Sequence, residues 1–174
     1  MQVKGDERVY KVLLILRHAK SSWKNKKLDD HDRPLNKRGK REAVEMGRYL
    51  KKINMIPDAI VTSSALRAIE TTTLVCRNCN YDKLVEVNFA FHKGGTDAYI
   101  HAISTTSNDK NTLLIVGHNP DLEDLIRVIT NRSMKLPTCT LIKINMYIKN
   151  WKSTLLYDSF KSEIVNVWRP KRIE

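Results

Sequence analysis

Two short apolar runs constrain this chain most. Val12-Leu13-Leu14-Ile15-Leu16 and Leu113-Leu114-Ile115-Val116 carry no polar residue at alternate positions. Strands of that kind are buried on both faces, which calls for layers above and below the sheet. The first run reads as a strand over 9–16 and the second as a strand over 112–116. Elsewhere the period changes. Asn36 is placed to cap a helix reaching about Ile53, with Ala43, Met46, Gly47 and Leu50 recurring every three to four residues. Pro57 introduces a short strand over 59–62, and a helix over 65–76 carries a partial apolar face of Leu66, Ile69, Thr73 and Val75. A weaker strand over 84–87 and a helix over 96–104 follow, then a helix opened by Pro120 and reaching about Thr130. The tail, 140–148 and 154–160, is expected to pair as a hairpin around 149–153.

Strands separated by helices define an α/β fold: a mostly parallel central sheet flanked by helices on both faces, in one domain over 1–174. Residues 1–8 are expected to form a loose arm. No apolar run approaches the ~18 residues of a membrane span, and the N-terminus lacks the apolar stretch of a secretion signal. The three cysteines, Cys76, Cys79 and Cys139, make no disulfide framework. The cytoplasm is therefore the expected location, with no membrane partner. Cys76 and Cys79 have CxxC spacing, but no second pair completes a zinc site. The charge balance stands out: 31 Lys+Arg against 19 Asp+Glu gives a net charge of +12. That bias favours an anionic partner or a phosphorylated substrate, although runs such as 24–27 and 37–41 also read as solvated faces.

In open α/β sheets ligands bind beyond the carboxyl ends of the strands. Arg17-His18, Ser63-Ser64-Ala65-Leu66-Arg67 and Gly117-His118 each follow a strand and should converge at one rim. The planar fork of arginine suits phosphate oxygens. A neutral imidazole can attack phosphorus, and neighbouring guanidinium groups keep it a free base. The chemistry that follows is phosphoryl transfer to a histidine and then hydrolysis, with no metal or other cofactor. The long polar stretch from Arg17 to Leu35 reads as a functional loop.

These residues carry a family resemblance. Leu16-Arg17-His18-Ala19, Arg33-Pro34-Leu35-Asn36-Lys37-Arg38-Gly39, Ser64-Ala65-Leu66-Arg67-Ala68-Ile69-Glu70-Thr71 and Gly117-His118-Asn119-Pro120 stand in the order of the motifs of the histidine phosphatase superfamily, branch 1. The chain is similar to its small SixA-type phosphohistidine phosphatases; Leu136-Pro137-Thr138 and Arg169-Pro170-Lys171 also resemble features of that group. The resemblance implies a phosphoglycerate-mutase-like fold without a large cap insertion, and a phosphatase that needs no cofactor. It makes His18 the nucleophile, with Arg17 and Arg67 on the phosphoryl oxygens and His118 donating a hydrogen bond to the same group. Arg33 would add a further arginine, and Lys20 and Ser21 sit where the first loop could add a cation or a hydroxyl. The expected substrate is a phosphohistidine on a protein, such as a histidine phosphotransfer domain. The alternatives are a small phosphate ester, or a non-catalytic module that binds phosphoprotein or nucleic acid.

One role has no motif. Larger members use an acidic residue to protonate an alkoxide leaving group, and here Asp32, His92, Asp97 and Glu123 are all open. An imidazole leaving group asks less of such an acid, which favours phosphohistidine as substrate. Arg33 could also serve only as an ion-pair partner for Asp29, Asp30 or Asp32. The stretch Asp29-Asp30-His31-Asp32 reads as a solvated loop offsetting nearby lysines, and His92 and His101 read as surface or packing residues. The tryptophans are too scattered to stack single-stranded nucleic acid, but Trp23 in the first loop is placed to pack beside the pocket.

Overall fold

The computed structural model describes residues 10–170; the expected N-terminal arm and Lys171 lie outside them. The two apolar runs form β1 (Lys11–Arg17) and β4 (Thr112–Gly117), adjacent and parallel, with Leu14 opposite Leu114 and Arg17 opposite Gly117. β2 (Ala59–Ser63) pairs in parallel with β4 on its other side, and β3 (Val85–Asn88) pairs in parallel with β2. β5 (Leu141–Met146) runs antiparallel to β1, and β6 (Ser162–Trp168) antiparallel to β5. The order across the sheet is β3-β2-β4-β1-β5-β6.

The lack of alternation in β1 and β4 has a direct cause. Leu13, Ile15, Leu113 and Ile115 point into one core with α3 (Gly95–Ser104) and α4 (Asp121–Thr130). Leu14, Leu16, Leu114 and Val116 point into the other, with α1 (Lys37–Lys52) and α2 (Leu66–Cys79). Each such side chain removed from water stabilises the fold by about 1.5–3 kcal/mol, so neither face tolerates a polar residue.

The helices follow their local signals. The Asn36 side chain accepts a hydrogen bond from the Gly39 amide at 2.8 Å, capping α1 as its sequence requires. Gly39 also lets α1 press on the first loop: a Cβ there would meet the Lys20 carbonyl oxygen well inside contact distance. α2 runs three residues beyond the expected Cys76 and ends at Asn80 in the left-handed region, φ 61°. Among the described residues no helix is long and apolar enough to cross a membrane.

The tail differs from expectation. The second antiparallel strand is not 154–160 but β6, and a 3-10 segment, Trp151–Ser159, occupies the intervening chain. Trp151 is the reason. Its ring is fully buried beside α3, its Nε1–H donates to the Lys110 carbonyl at 2.8 Å, and its amide donates to Asn108 at 3.1 Å. The Asn150 side chain caps the turn by accepting from the Ser153 amide. Anchoring one large ring ends the strand before pairing can resume at Ser162.

Candidate active site

Because β1, β4 and β2 are neighbours, their carboxyl ends bring Arg17-His18, Gly117-His118 and Ser63-Ser64 to one rim, and Arg67 joins from the first turn of α2. His18 is buried, and its backbone amide donates to the Gly117 carbonyl at 3.0 Å. Its Nδ1 lies 2.8 Å from the Ala19 carbonyl oxygen. A carbonyl can only accept, so Nδ1 carries the proton and Nε2 keeps its lone pair. Burial, outweighing the Ala19 hydrogen bond, and then the charges of Arg67, Arg17 and Arg33 push the His18 pKa down to about 4. The imidazole is a free base at neutral pH.

Arg67 donates from Nε toward His18 Nε2 across 3.4 Å. Arg17 is held from behind: its Nη1 donates to the Leu136 carbonyl at 2.8 Å, while its Nε is buried without a partner. The Leu136 segment is itself pinned, since Glu123 accepts from the Leu136 amide at 2.9 Å and from Asn119 Nδ2 at 2.7 Å. Leu136 therefore seats Arg17, and Glu123 Oε1 seats Leu136.

His118 faces His18 with ring centroids 5.1 Å apart. Its Nε2 lies 2.7 Å from Ser63 Oγ, and Nδ1 is buried without a partner. Ser63 Oγ accepts from the Ala65 amide at 3.3 Å, and its own hydrogen is available to His118 Nε2. With Nε2 accepting in this way, the proton sits on the unpartnered Nδ1. Burial first, then His18, Arg67 and His92, push the His118 pKa down to about 2.

The first loop supplies more than its sequence suggests. Asp30, in a 3-10 turn over Asp30–Asp32, bridges two arginines instead of facing solvent alone. Its Oδ1 accepts from Arg33 Nε at 3.0 Å and Nη2 at 2.7 Å, and its Oδ2 accepts from Arg67 Nη2 at 2.9 Å. Arg67 Nη1 also donates to the Asp30 carbonyl. Burial works against the ionised carboxylate, but Arg33 and Arg67 together hold its pKa below the usual range. Arg33 donates from Nη1 to Ser21 Oγ at 2.7 Å and stacks on Trp23, 3.6 Å from the ring centroid. Arg33 is thus paired with Asp30, and its charge also reaches His18.

His92 is not a lone surface residue. Its ring lies 5.9 Å from that of His118 and 5.1 Å from that of His31. Its sequence neighbours give no hint of this. Asp97 is exposed on α3, and the Lys20 side chain is exposed. Cys76 and Cys79 are free and buried; burial pushes the Cys76 thiol up to about 12, which removes any thiolate. Among the described residues no cluster of His, Cys, Asp or Glu could hold a metal ion. A cavity of about 670 Å³, lined by Asp58, Tyr81, Lys83 and Lys110, lies at the amino ends of β2 and β4 and shares no residue with the rim.

Chemically, such a rim can hold an anion between guanidinium groups and present it to an imidazole lone pair. The family description Histidine phosphatase superfamily (branch 1) matches residues 13–103, just over half of the chain. An uncharacterised chloroplastic protein of Arabidopsis thaliana is 30% identical over 151 residues, covering 80% of this chain and 68% of its own. An uncharacterised protein of Mycobacterium tuberculosis is 32% identical over 118 residues, covering 68% and 72%. The fold matches that of the protein histidine phosphatase SixA, solved with tungstate, at a TM-score of 0.80 and 18% identity, covering 94% of this chain and 99% of that one. The chain belongs to the histidine phosphatase superfamily, branch 1. Family and fold together support a phosphatase.

Proposed function

We propose that this phosphatase works through a phosphohistidine on His18 and acts on phosphohistidine carried by a protein. One observation carries the mechanism: the Ala19 carbonyl holds the proton on His18 Nδ1, so Nε2 is an unprotonated nucleophile 3.4 Å from Arg67 Nε. Nε2 bonds to phosphorus as the bond to the leaving group breaks. Arg67 and the unpartnered Nε of Arg17 take the phosphoryl oxygens, and His118 Nδ1–H donates to the same group. Arg33, fixed by Asp30, Ser21 and Trp23, adds positive charge at the edge and meets the leaving side of the substrate. Water then attacks phosphorus, the P–Nε2 bond breaks, and inorganic phosphate leaves.

The protein substrate is supported by the likeness to SixA and by the net charge of +12, which suits an acidic partner. Turnover of a phosphohistidine protein compared with that of sugar phosphates tests it. The expected result is a higher kcat/KM for the phosphohistidine protein; a strong preference for sugar phosphates overturns the substrate assignment.

A further inference from the structure

Four imidazoles cross the rim in a row: His18 to His118 at 5.1 Å, His118 to His92 at 5.9 Å, and His92 to His31 at 5.1 Å between ring centroids. The mechanism above uses only the first two. His92 closes a 3-10 turn, Phe89–His92, that is firmly seated. Asn88 caps it by accepting from the Ala90 amide at 2.9 Å, and Phe91 is fully buried and stacked on Tyr99, centroids 4.0 Å apart. Tyr99 Oη donates to the Phe91 carbonyl at 3.1 Å and accepts from the His118 amide at 3.3 Å, tying the two histidine-bearing segments together. His92 Nδ1 is buried without a partner. On its far side His31 is fixed through Asp32 Oδ1 at 2.9 Å and Ser64 Oγ at 3.0 Å.

Three carboxylates near the rim are already occupied. Asp30 holds Arg33 and Arg67, Asp32 holds His31, and Glu123 holds Leu136 and Asn119, whereas Asp97 is exposed on α3 and Asp121, half-buried at the start of α4, has its carboxyl pKa raised by burial and by Asp124. We propose that His92 is the proton donor of this site, used when the atom leaving phosphorus is an oxygen that needs a proton. This rests on the reading of His18 as nucleophile. In the first step His18 Nε2 bonds to phosphorus, the P–O bond breaks, and the His92 imidazolium gives its proton to the departing oxygen, so an alcohol leaves. In the second, the now neutral His92 takes a proton from water as the water oxygen bonds to phosphorus and the P–Nε2 bond breaks. Phosphate leaves and both histidines return to their starting states.

The groups acting on His92 are His31 and Asp30 from the first loop, Arg67 from α2, and its neighbour Lys93, with the His118 ring packed edge-on. Burial, then His31 and Arg67, hold its pKa below that of a free histidine, against the pull of Asp30. A phosphoryl dianion seated beside it favours the charged form. His31 packs edge-on against the His92 ring.

Steady-state kinetics on ethyl phosphate, whose leaving group needs a proton, and p-nitrophenyl phosphate, whose leaving group does not, test the proposal. His92→Gln is expected to lower kcat/KM about 10²-fold for ethyl phosphate and about tenfold less than that for p-nitrophenyl phosphate. The fall of wild-type ethyl phosphate turnover on the alkaline side of the His92 ionisation should vanish in the variant. An equal loss on both esters, no loss, or no turnover of ethyl phosphate by the wild type overturns it. His18→Ala run beside it separates the two readings: p-nitrophenyl phosphate hydrolysis that survives this change rejects the nucleophile, not merely the proton donor.

Discussion

Arg67 turns its Nε–H toward the Nε2 of His18 across 3.4 Å, and its charge adds to burial in holding that imidazole unprotonated. Removing it should act twice. Arg67→Gln is expected to lower kcat/KM by about 10²–10³-fold. It should also move the acidic limb of the pH profile upward from about 4, because a positive charge that depresses the His18 pKa is gone. A variant with an unmoved limb would contradict this.

Asp30 offers its carboxylate to Arg67 Nη2 at 2.9 Å, a guanidinium that the proposed mechanism assigns to the phosphoryl group. It orients the two arginines, and it also competes with an anionic ligand. Asp30→Ala is expected to tighten binding of inorganic phosphate about 5-fold, the effect of losing roughly 1 kcal/mol of repulsion at a half-exposed site, and to lower kcat. Inhibition constants and kcat measured together check it. Weaker phosphate binding would mean that Asp30 only positions.

The buried histidines make stability depend on acid. A free histidine titrates near 6.5, but His18 in the folded chain titrates near 4. The unfolded chain therefore binds a proton that the folded chain refuses as pH falls from 6.5 to 4, and stability drops over that window. Each pKa unit is worth about 1.4 kcal/mol, so the loss approaches roughly 3 kcal/mol. Urea unfolding at pH 7 and pH 4.5 should reveal it, and His18→Asn should narrow the difference. An unchanged difference would place the acid sensitivity elsewhere.

Gly39 joins helix packing to the site loop. An added methyl meets the Lys20 carbonyl, a backbone atom that cannot swing aside. Gly39→Ala is expected to destabilise by about 1–3 kcal/mol and to lower kcat/KM, since Lys20 lies two residues beyond His18. Urea midpoints and kinetics read the two effects separately; a fully active, fully stable variant would contradict the packing argument.

The elements that local chemistry specifies were legible in the sequence. The doubly buried strands announce themselves by lacking alternation, and Asn36 by its place before a 3.6-residue apolar repeat. What was not legible depends on distant partners. Trp151 gives no sign in the sequence that its ring will be buried against the Lys110 backbone, and that one contact replaced an expected strand by a 3-10 segment. Asp30 was half visible, because Arg33 follows it by three residues; its second partner, Arg67, lies 37 residues away. His92 meets His118 only because β3, β2 and β4 are neighbours in the sheet and their carboxyl ends share one rim.

If His18 Nε2 carries the phosphoryl group, rapid-quench trapping with labelled substrate yields a transient phosphoenzyme that is stable in base, labile in acid and maps to His18. A label on any other residue, or full turnover by His18→Ala, would contradict it.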